Sequence, residues 1–337
     1  MNLSFSVIGG KFIHETLSYS YEKVSDLVMN TYLSHHKNET VNPDSYFLRF
    51  PDKESARIIA LPSALTGDNS VSGIKWISSY PDNIKNNLQR ASAVLILNDY
   101  ETGYPIACLE SSIISAHRTA ASAVKGAEAL STLPKKSTKV AFVGAGIIAK
   151  TITNYISALD WNVYNVEVFD QHADSAEKLS EHINSKLHMS CTVKKNLEDA
   201  IHGAEHVFLC TTASTPYIHD PSVFHNGQVI INISLRDISP DIILNSFNIV
   251  DDIEHCLKAS TSPHLAEIKS GSRGFINGTI AEVFEGKVNI DRRKPIIFSP
   301  FGLGVLDLAL GYFIYKQSIL SKNNFAIPDF FTSVNRW

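Results

Sequence analysis

The sequence predicts an α/β protein of two domains, a doubly wound parallel sheet and a mixed α+β domain built largely from strands. Three observations predict it. An apolar run ending at Val143 opens directly into Gly144-x-Gly146-x-x-Ala149 and then into a helical pattern. Beyond that turn, strand-like and helix-like segments alternate, which is the pattern of a parallel sheet flanked by helices. Ahead of it, short strand-like runs dominate, and 337 residues exceed what a single core ordinarily organises.

Taken in order, residues 21–36 place Val24, Leu27, Val28 and Leu33 at helical spacing. Short apolar runs over 57–61, 71–77 and 93–97 read as strands, and 105–109 as the return strand of a hairpin after Asn98-Asp99 and Thr102-Gly103. Residues 111–130, rich in Ala and Ser, predict a long helix leading out of this first domain, broken by Pro134. Strands follow over 139–143, 163–169, 190–193, 206–210, 228–233 and 248–251, with helices over 173–184 and 197–202. The apolar tail over 302–318 reads as an amphipathic helix returning to the first domain. The expected boundaries are 1–115 with 305–337 for the mixed domain, and 116–304 for the parallel one.

The glycine turn is where the chemistry concentrates. Gly144 permits the tight exit from the strand, Gly146 lets backbone approach a pyrophosphate, and small Ala149 lets the helix pack against the sheet. Phosphates then sit on the helix start at Ile147 and Ile148, where unpaired N–H groups and the helix dipole favour anions. The second strand ends in Asp170, 26 positions after Gly144, where an acid should grip ribose hydroxyls. This is a Rossmann-type dinucleotide site, and an acid there implies NAD rather than NADP. Thr211 and Thr212 after one strand, and Ser234 after the next, lie where the rest of the cofactor would run.

Composition narrows the remaining classes. Hydrophobic residues make up 44% and charged ones 19%, with no apolar stretch of membrane-spanning length. The N-terminus lacks a basic segment followed by an apolar one, so cytoplasmic residence is the default expectation. A net charge of −4 without basic runs points away from nucleic acid. Cys108, Cys191, Cys210 and Cys256 form no CxxC pair and no metal-like spacing with the 13 histidines, so reduced packing residues and no metal site are expected.

Asp237, in the loop after the fifth strand, is the sharpest catalytic candidate. A carboxylate beside a hydride-accepting ring can act as general base toward an amine or a water, although Asp237 also suits an Asx-turn or helix N-cap before Ser239-Pro240. Lys75 interrupts an apolar strand and Arg118 an Ala-rich helix. Each would be costly if buried without an anion, so each points either to a carboxylate-bearing substrate or to a bland role, a solvent-facing strand position for Lys75 and a structural ion pair for Arg118. Arg49, Arg57 and Arg90 carry less weight, because exposed arginines are common.

Gly73-Ile-Lys-Trp-Ile77, Arg118-Thr-Ala-Ala121, the glycine turn, Ser234 to Asp237, and Pro300-Phe-Gly-Leu-Gly304 through Asp307 match in order and spacing over nearly the whole chain. Together they resemble the ornithine cyclodeaminase/μ-crystallin family. Arg90-Ala-Ser92 with Ile96 to Asp99, Tyr104 to Ala107, Val250 to Asp252 and Tyr312 to Tyr315 resemble the branch of that family that releases 2,3-diaminopropionate for siderophores. The resemblance implies a homodimer built through the mixed, substrate-binding domain, and an NAD-dependent enzyme acting on a small amino acid. It places Lys75 and Arg118 at the substrate carboxylate, with Arg49 a third anion contact and Arg118 also near the cofactor, and it makes Asp237 the acid/base. Arg90, Asp241 and Pro300 stand where ornithine cyclodeaminases carry Thr, Lys and Ser, which argues against ornithine. Arg57 and Arg90 are then candidates for further substrate carboxylates. Ornithine cyclodeamination, and a non-enzymatic ligand-binding protein of the μ-crystallin kind, are the alternatives.

Overall fold

A computed structural model describes residues 4–331. The chain opens with β1 (Phe5–Ile8) and helices α1 (Gly10–Ser18) and α2 (Tyr21–His36). Strands β2 (Thr40–Val41), β3 (Tyr46–Phe50), β4 (Lys53–Leu65), β5 (Val71–Ser79), β6 (Ala91–Asn98) and β7 (Pro105–Glu110) follow. Helix α3 (Ser112–Leu130) leads out of this unit, and the boundary between the two compact units falls inside it, after Arg118.

The first unit, which also takes the described residues from Leu303 onward, is one mostly antiparallel sheet. Strand β4 is far longer than residues 57–61 suggested, because Pro62 reads as a strand end. Pro62 is tolerated because β3 pairs with β4 as far as Ala60 and β2 begins pairing only at Ala64, so no neighbour on that side needs its N–H.

The second unit, Thr119–Gly302, supplies β8 (Lys136–Val143), α4 (Ile147–Ala158), β9 (Asn162–Phe169), α5 (Ala173–Lys186) and β10 (Cys191–Val193). It continues with α6 (Leu197–Ile201), β11 (His206–Leu209), β12 (Val229–Asn232), α7 (Pro240–Asn245), β13 (Phe247–Val250), α8 (Ile253–Cys256) and α9 (Ser262–Ser270). Strand β14 (Ile276–Thr279), α10 (Ile280–Phe284) and β15 (Ile296–Ser299) complete it. The sheet order is β10-β9-β8-β11-β12-β15-β13-β14, parallel throughout. Strand order reverses at β8, so the ends of β8 and β11 border the crevice in which such sheets bind ligands. Val143, Leu209, Ile230 and Ile297 join one buried cluster that holds these strands.

Strands β14 and β15 are among the short elements that the sequence reading did not give, yet β15 lies fully buried between β12 and β13.

The chain closes with α11 (Gly304–Leu320) and β16 (Phe325–Ile327), which pairs antiparallel with β1. Helix α11 is not amphipathic as expected. Residues 304–311 are all buried, because the helix packs on α2 as well as on β4 to β6 of its own unit. Among the described residues, no helix is long and apolar enough to cross a membrane.

Candidate functional site

The second unit holds the nucleotide turn. Gly144 has φ +92°, and a side-chain carbon there would meet the Cys210 backbone at 2.7 Å. Gly146 is the N-cap of α4 and has open space where a Cβ would stand, the cradle a pyrophosphate needs. Ile147 and Ile148 form the first turn of that helix, and Ala149 is fully buried beneath them. Asp170 accepts a 2.7 Å bond from the Ala145 N–H on one oxygen and a 2.8 Å bond from the His172 N–H on the other. The carboxylate thus braces the glycine turn directly, and lone pairs remain on both oxygens for ribose hydroxyls. These residues fit a dinucleotide.

Asp237 is fully buried in the loop between β12 and α7. Leu235 in that loop adopts φ +67°, a conformation β-carbon residues rarely hold, and its carbonyl is pinned by the Ser262 N–H at 2.6 Å. The N-cap reading of Asp237 fails, since Ser239 occupies the N-cap of α7 with Pro240 behind it. Instead, the Asp237 carboxylate receives the Thr211 hydroxyl, at 2.8 and 3.0 Å from its two oxygens, and the Tyr217 hydroxyl at 3.1 Å. Thr211 Oγ1 accepts from the Ala213 N–H, which leaves its own proton for Asp237. Ser234 has one hydroxyl proton, placed on the Leu209 carbonyl at 3.0 Å, so it serves Asp237 only by giving that bond up. Burial pushes the Asp237 carboxyl above its usual range, and the hydroxyls of Ser234, Thr211 and Tyr217 pull it part of the way back. A buried carboxylate with neutral partners and a raised affinity for protons suits a general base. Thr212 lies exposed next to Thr211.

The first unit holds the cations. Lys75 is 2% exposed, so it is not a solvent-facing strand residue. Its Nζ donates to Asp307 Oδ2 at 2.6 Å and to Ser115 Oγ at 3.3 Å. Arg118 Nε lies 3.2 Å from the same Asp307 oxygen without hydrogen-bond alignment, a Coulombic contact. Two cations therefore share one buried carboxylate, and one positive charge is left over. Burial lowers the Lys75 ammonium to about 8, with Arg118 adding to the fall and Asp307 opposing it. Burial alone would raise Asp307, but Arg118 and Lys75 outweigh it and hold the carboxyl below its usual range.

Arg57 on β4 pairs with Ser79 of β5 and Arg49 of β3, and Ser79 lies four residues beyond Lys75. Side chains alternate along strands, so Lys75, Arg57 and Arg49 share one sheet face, with about 13 Å of strand separating Lys75 from the Arg57 row. Arg90 Nη1 donates to Ser79 Oγ at 2.8 Å, which brings a third guanidinium to that row. Burial lowers both Arg57 and Arg90, and Arg49 beside Arg57 and Arg57 beside Arg90 lower them further. Arg49 is exposed and its guanidinium lies 5.3 Å from the Phe47 ring centre. Among the described residues none of the three has a carboxylate within salt-bridge distance.

Sequence reasoning missed two members. Asp307 stands in the most apolar helix of the chain, and an acid in such a run was the available signal. Tyr217 had none, since only the fold brings it to Asp237: both the Tyr217 and Ile218 N–H groups bond the Asp237 carbonyl.

The described geometry has counterparts. One relative, N-((2S)-2-amino-2-carboxyethyl)-L-glutamate dehydrogenase of Staphylococcus aureus, is 31% identical over 305 residues, covering 87% of this chain and 89% of that protein. The Thermococcus litoralis Delta(1)-pyrroline-2-carboxylate reductase, solved with NADH and L-proline, superposes with a TM-score of 0.87 at 22% identity, over 96% of this chain and 100% of that one. An archaeal alanine dehydrogenase dimer with bound NAD gives a TM-score of 0.85 at 21% identity, over 97% and 100%. The profile of the ornithine cyclodeaminase/mu-crystallin family matches residues 14–323, nearly the whole sequence, and with the staphylococcal relative it settles the assignment: the chain belongs to that family.

Proposed function

We propose that this protein oxidises N-(2-amino-2-carboxyethyl)-L-glutamate with NAD and releases 2-oxoglutarate and L-2,3-diaminopropionate, a building block for siderophores or related natural products. The chain is an NAD-dependent oxidoreductase acting on an amino acid. The observation that carries the substrate reading is the row of Arg49, Arg57 and Arg90, which has no carboxylate within salt-bridge distance among the described residues, on the sheet face that also holds Lys75. Carboxylates taken out of water need charged partners, and guanidinium forks match them in pairs. The proposed substrate brings three carboxylates, whereas ornithine brings one and a distal ammonium that this row would repel. The name of the staphylococcal relative supports the same substrate.

In this reading Lys75 and Arg118 bind the carboxylate next to the reacting carbon, and the arginine row takes the others. NAD held on the glycine turn would supply the acceptor for the hydride of the glutamate Cα. The resulting imine adds water, whose proton Asp237 accepts. The carbinolamine then collapses: its hydroxyl gives up a proton to form the ketone, the nitrogen gains one, and the C–N bond breaks to free the amine of diaminopropionate. Arg118 and the residues around Gly144, Asp170, Thr211, Thr212 and Ser234 orient the cofactor.

We further assign a cytoplasmic homodimer joined through the first unit. Supporting it, the sheet face opposite Lys75 carries Tyr46, Leu48, Trp76 and Val94, all exposed, in adjacent rows of four strands. An apolar sheet face of this kind marks an association surface. Incubation of the protein with NAD and either compound, with products identified by mass spectrometry, tests the substrate. Diaminopropionate and 2-oxoglutarate are expected from the conjugate; proline and ammonia from ornithine, with nothing from the conjugate, would overturn the reading.

A further inference from the structure

We infer that Tyr217 is a positioning residue whose hydroxyl holds the Asp237 carboxylate in its ionised, proton-accepting form; the inference rests on the proposed role of Asp237 as base.

Asp237 has no exposed surface and, among the described residues, no cation within salt-bridge distance. An ionised carboxylate in such a place survives only through hydrogen bonds. The groups that face it are the hydroxyls of Thr211, Tyr217 and Ser234, and the thiol of Cys210, which is the other titratable group of the cluster. Ser234 spends its proton on the Leu209 carbonyl. Cys210, on the same strand end as Thr211, is kept protonated by burial and by Asp237 itself. Two dedicated donors remain, and Tyr217 is one of them.

Its geometry is built rather than incidental. The Tyr217 and Ile218 N–H groups both donate to the Asp237 carbonyl, at 3.1 and 2.9 Å, and Ile218 bridges Ile238. The backbone of residues 217–218 is therefore clipped to the backbone of the residue whose side chain the phenol serves. The phenol keeps its proton here, because burial and the adjacent carboxylate raise its affinity for it far above neutrality. It is a donor at every working pH, never a competing base.

The test is the pH profile of kcat/KM for NAD reduction by the parent, Tyr217→Phe and Asp237→Asn. A hydrogen bond to a charged acceptor shifts its titration by about one to two pH units, so Tyr217→Phe should move the acid limb up by that much and leave NAD affinity unchanged. Replacing Tyr217 by 3-fluorotyrosine, a stronger donor of the same shape, should move the limb down. An acid limb that stays in place in both variants would overturn the inference, even if turnover fell. If Asp237→Asn keeps the parent's turnover and acid limb, the assignment of Asp237 as base fails instead, and the role of Tyr217 with it. If Asp237→Asn is inactive while Tyr217→Phe keeps the parent limb, only the role of Tyr217 falls.

Discussion

Asp307 in the first unit and Asp237 in the second are both fully buried, and their surroundings treat the carboxylate in opposite ways. Asp307 is held by two cations, which lower its proton affinity below the usual range, so it stands as the shared counter-ion of Lys75 and Arg118. Asp237 is held by hydroxyls alone and its proton affinity is raised. Around Asp307 the counter-ions outweigh burial and lower the proton affinity, whereas around Asp237 burial outweighs the neutral donors and raises it. The first arrangement suits the proposed binding of anions; the second suits the proposed base.

The largest effect that would sharpen this contrast is on turnover. Asp237→Asn keeps the shape but cannot accept a proton, and kcat should fall by about 10²–10⁴-fold while the denaturation midpoint stays close to the parent's. Turnover near the parent's would break the comparison. The mirror-image outcome is expected at Asp307→Asn, where Lys75 and Arg118 are left buried without an anion. Stability should drop by about 3–5 kcal/mol, read from urea unfolding. An unchanged midpoint would mean that the triad's charges are solvated rather than locked.

Arg90→Thr removes a guanidinium that no carboxylate among the described residues neutralises. The Michaelis constant for the three-carboxylate substrate should rise by roughly 10- to 100-fold at little change in kcat, the worth of one charge-assisted hydrogen bond. The smallest effect belongs to pH. Lys75 must be charged to bind a carboxylate, and burial has lowered it to about 8. The group is protonated below that value and neutral above it, so kcat/KM should fall on the alkaline side, by about tenfold at one unit above the midpoint. A profile flat to pH 10 would place the substrate carboxylate on Arg118 alone.

The nucleotide half was legible because its determinants are local. Gly144, Gly146 and Ala149 each answer a requirement of one turn, and Asp170 follows from the length of one strand–helix–strand unit. The Ala-rich α3 and the helix over Tyr21–His36 were legible for the same reason, since period and composition act within a few residues of each other. Strand β4 was read short because Pro62 looks like an end until its neighbours are known.

What the sequence by itself determined, then, was the parallel sheet, its dinucleotide turn and the residue types able to carry charge. The tertiary structure alone decided which charges meet. Lys75 and Asp307 stand 232 positions apart, and nothing local records their 2.6 Å contact. Tyr217 reaches Asp237 only because strand order sets the ends of β11 and β12 side by side, and Arg57 joins Arg90 only through the register that sets Ser79 opposite it. Hydrophobic pattern selects faces, but burial of a charge is affordable only where the fold delivers its partner, so the sites are properties of register and packing rather than of any one segment.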